Sequence, residues 1–184
     1  METSMRARVL LFIMALAVAA PAARAGMRLT LVMIGQDQVT SLSQDEHALQ
    51  RLLFNAGPDV RLAMDKEWGG IQFLLNGSPD STEGPYGQVI FGGQEIGPDM
   101  GYGPARVLNA KQVAEIASHL QSLSADGLRL RYDPKAMTRM DIYPDIWERD
   151  GTEACDWLLQ GYVRLVDFYV RAAARGNAVV LAIL

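Results

Sequence analysis

Cysteine is nearly absent from this chain of 184 residues. The only one, Cys155, excludes an intramolecular disulfide. Its neighbours Glu153 and Asp156 are acidic and would raise, not lower, a thiol pKa. Cys155 therefore reads as a small packing residue, with a catalytic thiolate as the alternative. Histidine is scarce as well. His47 and His119 stand 72 positions apart, and with one cysteine they give no zinc spacing. No D-x-D-x-D-G calcium loop and no G-x-S-x-G elbow occurs. Excess positive charge is missing too. The formal net charge is -4. Arg6, Arg8 and Arg24 against Glu2 make residues 1–25 contribute +2, so the remainder carries -6. An acidic body lacks the basic footprint that nucleic acid requires.

A run of apolar residues long enough to span a bilayer is also missing. The apolar stretch over residues 9–20 has twelve residues, whereas a span needs about 20. Arg6 and Arg8 precede it, Pro21 ends it, and Ala23, Arg24 and Ala25 form an A-x-A cleavage site. Residues 1–25 thus read as an export signal peptide, leaving one domain over residues 26–184. The expectation is a periplasmic or secreted protein with no stable membrane insertion after cleavage. Translation from Met27 would give a cytoplasmic one instead.

What the chain does have is glycine, concentrated in one place. Residues 84–103 hold seven glycines and two prolines, and each glycine costs a helix about 1 kcal/mol relative to alanine. The expectation over 84–108 is a loop with a definite path, interrupted by a short strand at residues 88–91. Neither phosphate motif is completed there. The glycines at 92, 93 and 97 lack the Lys-Ser/Thr of a P-loop. The run Gly101-Tyr102-Gly103-Pro104-Ala105-Arg106 fails G-x-G-x-x-G at its last position and opens a strand instead of a helix. What remains is a loop with free amides, plus Tyr102 and Arg106, that could hold a small anion. The alternative is a structural loop with Arg106 paired to an acid.

Elsewhere the pattern alternates between helix and strand signals. Residues 28–34 read as a strand. Ser43 with Glu46 reads as a capping box opening a helix that carries Leu49, Leu52 and Leu53 on one face, with His47 on the solvent side. Trp68, Ile71 and Leu75 mark a short helix in which Gly69 and Gly70 permit close approach. Asn109 with Gln112 caps a helix carrying Val113, Ile116 and Leu120, with His119 at the edge of its core face. Asp133-Pro134 opens another helix, and Tyr143-Pro144 ends it. Ile142, Tyr143, Ile146 and Trp147 form an apolar knot. Asp150 and Glu153 are expected to cap the longest helix, which Gly176 stops. Residues 178–184 are apolar on both faces and read as an interior strand. Without regular βαβ repeats, this order predicts a compact α+β domain, a small mixed sheet packed against several helices.

The segments 65–68, 71–75, 92–93, 96–97, Asp99, 101–106, 142–144 and Trp147 resemble, in order and spacing, the YfbM-like family of small bacterial proteins. The resemblance covers about residues 26–184, and Gly26-Met27 is similar to the family's Met-Gly-Met opening. It implies a single α+β domain and no established activity or catalytic residue. The extension before Met27 departs from the family, whose members begin at the first strand.

Two functions follow. The first is a non-enzymatic binding or interaction protein with a protein partner. The second is a small-molecule (anion) binder or enzyme around the glycine-rich stretch. That site would use Trp68, Asp99, Tyr102, Arg106 and Tyr143, with the arginine gripping an anion and the aromatics stacking a flat ligand. No metal site and no cofactor is expected.

Overall fold

The computed structural model of the chain describes residues 27–184. The export-signal reading of residues 1–25 lies outside them. Five strands form one sheet in the order β2-β1-β5-β4-β3: β1 (Leu29–Ile34), β2 (Arg61–Met64), β3 (Gln94–Asp99), β4 (Pro104–Leu108) and β5 (Ala178–Ile183). β5 lies at the centre, between β1 and β4. Its six residues pair with β1 from Leu29↔Ile183 to Ile34↔Ala178. Both faces of this pair are covered, and successive side chains alternate between two cores. Leu29, Leu31, Met33, Val179 and Leu181 enter the larger core. Val32, Ile34, Ala178, Val180 and Ala182 enter the smaller one, with Leu49 and Leu53. The apolar run at the C-terminal end of the chain is explained by this double burial.

Among the described residues, eight α-helices surround the sheet: α1 (Val39–Gln44), α2 (Glu46–Asn55), α3 (Glu67–Asn76), α4 (Gly84–Phe91), α5 (Ala110–Gln121), α6 (Ala125–Arg129), α7 (Pro134–Arg139) and α8 (Trp147–Ala174). α2 supplies the smaller core. α3, α5 and α8 supply most of the larger one, where Ile71, Leu120, Leu158, Tyr162, Leu165, Phe168 and Tyr169 meet. The caps at Asn109 and Asp133 form as the sequence predicts. Asn109 Oδ1 accepts from Gln112 N at 3.0 Å, and Asp133 Oδ1 accepts from Ala136 N at 3.0 Å.

Four expectations are corrected. The sheet is not mixed: all four strand pairings are antiparallel. No helix serves as a crossover between parallel neighbours, and α8 returns the chain so that β5 runs against both β1 and β4. The glycine-rich stretch is not a loop around a strand at 88–91, since residues 84–91 are helix α4 and residues 94–99 are strand β3. Pro85 pre-sets the first turn of α4. Burial of Val89 and Ile90 overrides the glycine penalty. Gly87 is there for proximity, because a Cβ would lie 2.2 Å from the Thr82 carbonyl carbon. The N-cap of α2 is Asp45, whose Oδ1 accepts from Ala48 N at 2.9 Å, while Ser43 lies inside α1 and donates to Thr40 O. Finally, α8 begins at Trp147, ahead of Asp150 and Glu153, and its backbone leaves the helical conformation at Gly151 (φ 48°).

Candidate functional site

A shallow hollow of the surface follows α8. Two adjoining cavities, about 570 and 450 Å³, share Ala125 and Val163 and form one trough between α8 and the α5–α6 side. Its floor is apolar, built from Leu159, Val163, Val166 and Val170 of α8 with Leu123 and Ala125 opposite. From Asp156 to Val170 the helix runs roughly 21 Å at 1.5 Å per residue. Val163, at the middle, is 56% exposed, unusual for a valine on a helix that otherwise buries its apolar side. Tyr162 closes the wall from below. Its hydroxyl donates to Leu120 O at 3.1 Å and Leu123 O at 2.7 Å, tying α8 to the end of α5.

Most charged groups of the trough are paired within the chain. Arg129 Nη2 meets Asp156 Oδ1 at 2.6 Å. Arg164 Nη2 meets Glu67 Oε1 at 2.6 Å. Glu67 is the unusual member, with its side chain only 3% exposed while Arg164 is 52% exposed. Its other oxygen, Oε2, has no hydrogen-bond partner among the described residues. The carboxylate reaches α8 because position 161 is glycine: a Cβ there would lie 2.7 Å from Glu67 Cγ. Arg164 is thus a lid over a buried anion and a wall of the trough at once. Cys155 lies behind Asp156, 3% exposed, and burial pushes its thiol pKa up, so its packing role is the one observed.

Burial also shapes the phenols. It pushes the pKa of Tyr162 up to about 12, and that of Tyr132, whose hydroxyl donates to Trp147 O, up to about 12. Both neutral phenols are favoured by folding. Their contribution is complete below about pH 10 and is lost as pH rises through about 12. Thermal melts are expected to hold steady to about pH 10 and then fall. Tyr162 alone accounts for roughly 2–3 kcal/mol at the alkaline end. Tyr162→Phe should flatten that decline, and an unchanged slope would show that this phenol does not carry it.

The five residues picked from the sequence fall on two parts of the fold. Trp68 lies in the first turn of α3, and Tyr143, between α7 and α8, packs beside it. Trp68 Nε1 donates to Met27 O at 3.0 Å, and its ring meets Phe91 edge-on at 6.0 Å. The Lys66 ammonium sits over the Tyr143 ring at 5.6 Å. Asp99, Tyr102 and Arg106 belong to the β3–β4 hairpin. Asp99 Oδ1 accepts from the amides of Gly101 at 2.7 Å and Gly103 at 3.0 Å. Tyr102 is 46% exposed at the tip. Arg106 forms an ion pair with Glu95 across the ladder and donates to Gly93 O at 3.4 Å. His119 is exposed, not at the core edge, and meets the Tyr86 ring edge-on at 6.3 Å. Among the described residues, no three His, Cys, Asp or Glu side chains are grouped to hold a metal. The sequence reading missed Glu67 and Arg164. The signal was available, since glycine in the interior of the longest helix marks a close approach.

An antiparallel five-stranded sheet with helices on both faces defines a small α+β domain with a grooved long helix. The chain belongs to the family described as a domain of unknown function, DUF1877, whose model matches residues 25–182. The solved structure of YfbM from Escherichia coli, a protein of unknown function, is similar over 86% of this chain and 100% of that one. The two share a TM-score of 0.71 and 21% sequence identity, a likeness of fold. No curated protein matches the chain.

Proposed function

We propose that this is an exported, non-enzymatic binding protein whose contact surface for another protein is the α8 trough. One observation carries the reading. The trough has an apolar floor with an exposed valine at its centre, and the Arg129–Asp156 and Arg164–Glu67 pairs satisfy its walls internally. Such a surface offers buried apolar area with a polar rim, the ordinary composition of a protein interface. Its length suits an amphipathic helix, recognised through apolar anchors at i, i+3, i+4 and i+7.

The test is capture from the envelope fraction with wild type, Val163→Glu and Arg106→Ala proteins. A charge at the centre of the trough should abolish capture while leaving the melting temperature within a few degrees, because position 163 is largely solvated. Arg106→Ala should capture normally, and its exposed pair should cost no more than about 1 kcal/mol. Capture that survives Val163→Glu but is lost with Arg106→Ala would move the site to the β3–β4 hairpin. Export is tested separately: the mature protein is expected in the periplasmic or secreted fraction with a mass beginning at Gly26. A cytoplasmic protein beginning at Met1 or Met27 would refute it.

A further inference from the structure

We propose that removal of residues 1–25 comes before the domain folds, because the fold takes hold of the chain one residue past the cut. This rests on the reading that the chain is exported and cut between Ala25 and Gly26, and it adds the order of events. Gly26 alone separates that bond from the first anchored group. The Met27 carbonyl accepts from Trp68 Nε1 at 3.0 Å. Arg28 N donates to Leu184 O, and Leu184 N donates to Arg28 O, both at 2.9 Å. Leu29 follows, fully buried and paired with Met64 on one side and Ile183 on the other. A protease works on backbone that has opened, extended and free of its own hydrogen bonds on both sides of the bond. In the folded domain the side after the cut is already committed to Trp68 and Leu184.

Fraying does not release this stretch far. All six residues of β1 are buried, and the strand is bonded along both edges, by β2 and by β5. Core strands of this kind open only with the domain as a whole. The same topology supplies the interval in which cutting occurs. β5 fills the middle of the sheet between β1 and β4, and Ala178 stands 144 positions after Ile34. Until residues 178–183 are in place, β1 lacks one of its two neighbours and the β3–β4 hairpin is not joined to it. Pairing across such a separation forms slowly. A segment that leads the chain through the membrane is therefore offered to the processing protease while β1 is still unlocked. The order also defines the class of apparatus that moves this chain: one that threads it unfolded, because a domain that closes first keeps its leader.

The test uses the full-length precursor, residues 1–184. It is purified in urea and presented to purified signal peptidase in detergent, either straight from urea or after refolding, with the refolded state verified by its cooperative melt. The unfolded precursor is expected to give a product whose mass begins at Gly26. The refolded precursor is expected to be cut at least about a hundredfold more slowly. Two variants locate the cause. A Gly/Ser spacer of about eight residues between Gly26 and Met27 spans roughly 26 Å when extended. It leaves the cut site intact but frees it from the fold, so the refolded form should be cut nearly as fast as the unfolded one. Trp68→Phe removes the donor to Met27 O and keeps a ring against Phe91. It should speed cutting of the refolded precursor about fivefold. Equal rates for folded and unfolded precursor overturn the order of events and leave the cut itself standing. A refolded spacer precursor that stays resistant also overturns it, since nearness of the fold would not be the cause. An unfolded precursor that is left whole, or cut elsewhere, removes the cut after Ala25 and the inference with it.

Discussion

Arg164→Ala is expected to destabilise the domain by about 3 kcal/mol, although Arg164 is an exposed residue by ordinary standards. The reason lies in its partner. Glu67 is buried at the start of α3, and Arg164 supplies the one ion pair it makes among the described residues. An exposed ion pair is worth about 0–1 kcal/mol, but removing the cation from a buried carboxylate leaves an uncompensated charge, which costs about 3–5 kcal/mol. The lower end applies because the arginine side of the pair is solvated. For a domain of this size the loss should lower the melting temperature by roughly 6–12 °C. The second variant decides the mechanism. Arg164→Ala combined with Glu67→Met should recover most of the loss, since an apolar near-isostere carries no charge to solvate. A double variant no more stable than Arg164→Ala would show that packing of the arginine stem, not the orphaned carboxylate, carries the effect.

Trp147→Ala should cost more, about 4 kcal/mol, enough to shift the midpoint by roughly 8–16 °C. The indole is fully buried at the start of α8. Its Nε1 donates to Ile142 O at 2.6 Å, and its ring stacks on Trp157 with centroids 6.4 Å apart. Gly70 of α3 lies so close that a Cβ there would be 2.8 Å from the ring. Truncation therefore opens a cavity at the junction of α3, α7 and α8 and orphans a buried carbonyl. Against a total stability of about 5–15 kcal/mol, the variant should be marginal in chemical denaturation. A loss below about 1 kcal/mol would mean that this junction is not part of the cooperative core.

Trp147 was legible in the sequence, because aromatic and branched residues crowd residues 142–147 and only packing accounts for them. The end strands were legible for the same reason: β5 carries apolar residues at every position and β1 at all but Thr30, and both faces prove buried. The caps at Asn109 and Asp133 are local chemistry and needed no tertiary information. The glycine-rich stretch was misjudged because propensity is a weak force beside burial. Val89 and Ile90 fix α4 against the core, and a turn of glycines cannot outvote them. Glu67 could not be found from its own segment. The residue that makes its burial possible, Gly161, stands 94 positions away in α8, and so does the arginine that neutralises it, 97 positions away. The trough was invisible for the same reason, since α6 and α8 meet only in the fold. The paired state of Arg106 was one of the two alternatives the sequence posed, and its partner, Glu95, lies opposite it in the strand register.

The most direct test of the trough as the contact surface is photo-crosslinking in living cells, with a benzophenone amino acid placed at Val163 or, separately, at Tyr102. Both sites are exposed, and they lie on different parts of the fold, so each controls for the other. Adducts from position 163 and none from position 102 are the predicted result. Adducts from position 102 alone would contradict the account and place the contact on the β3–β4 hairpin.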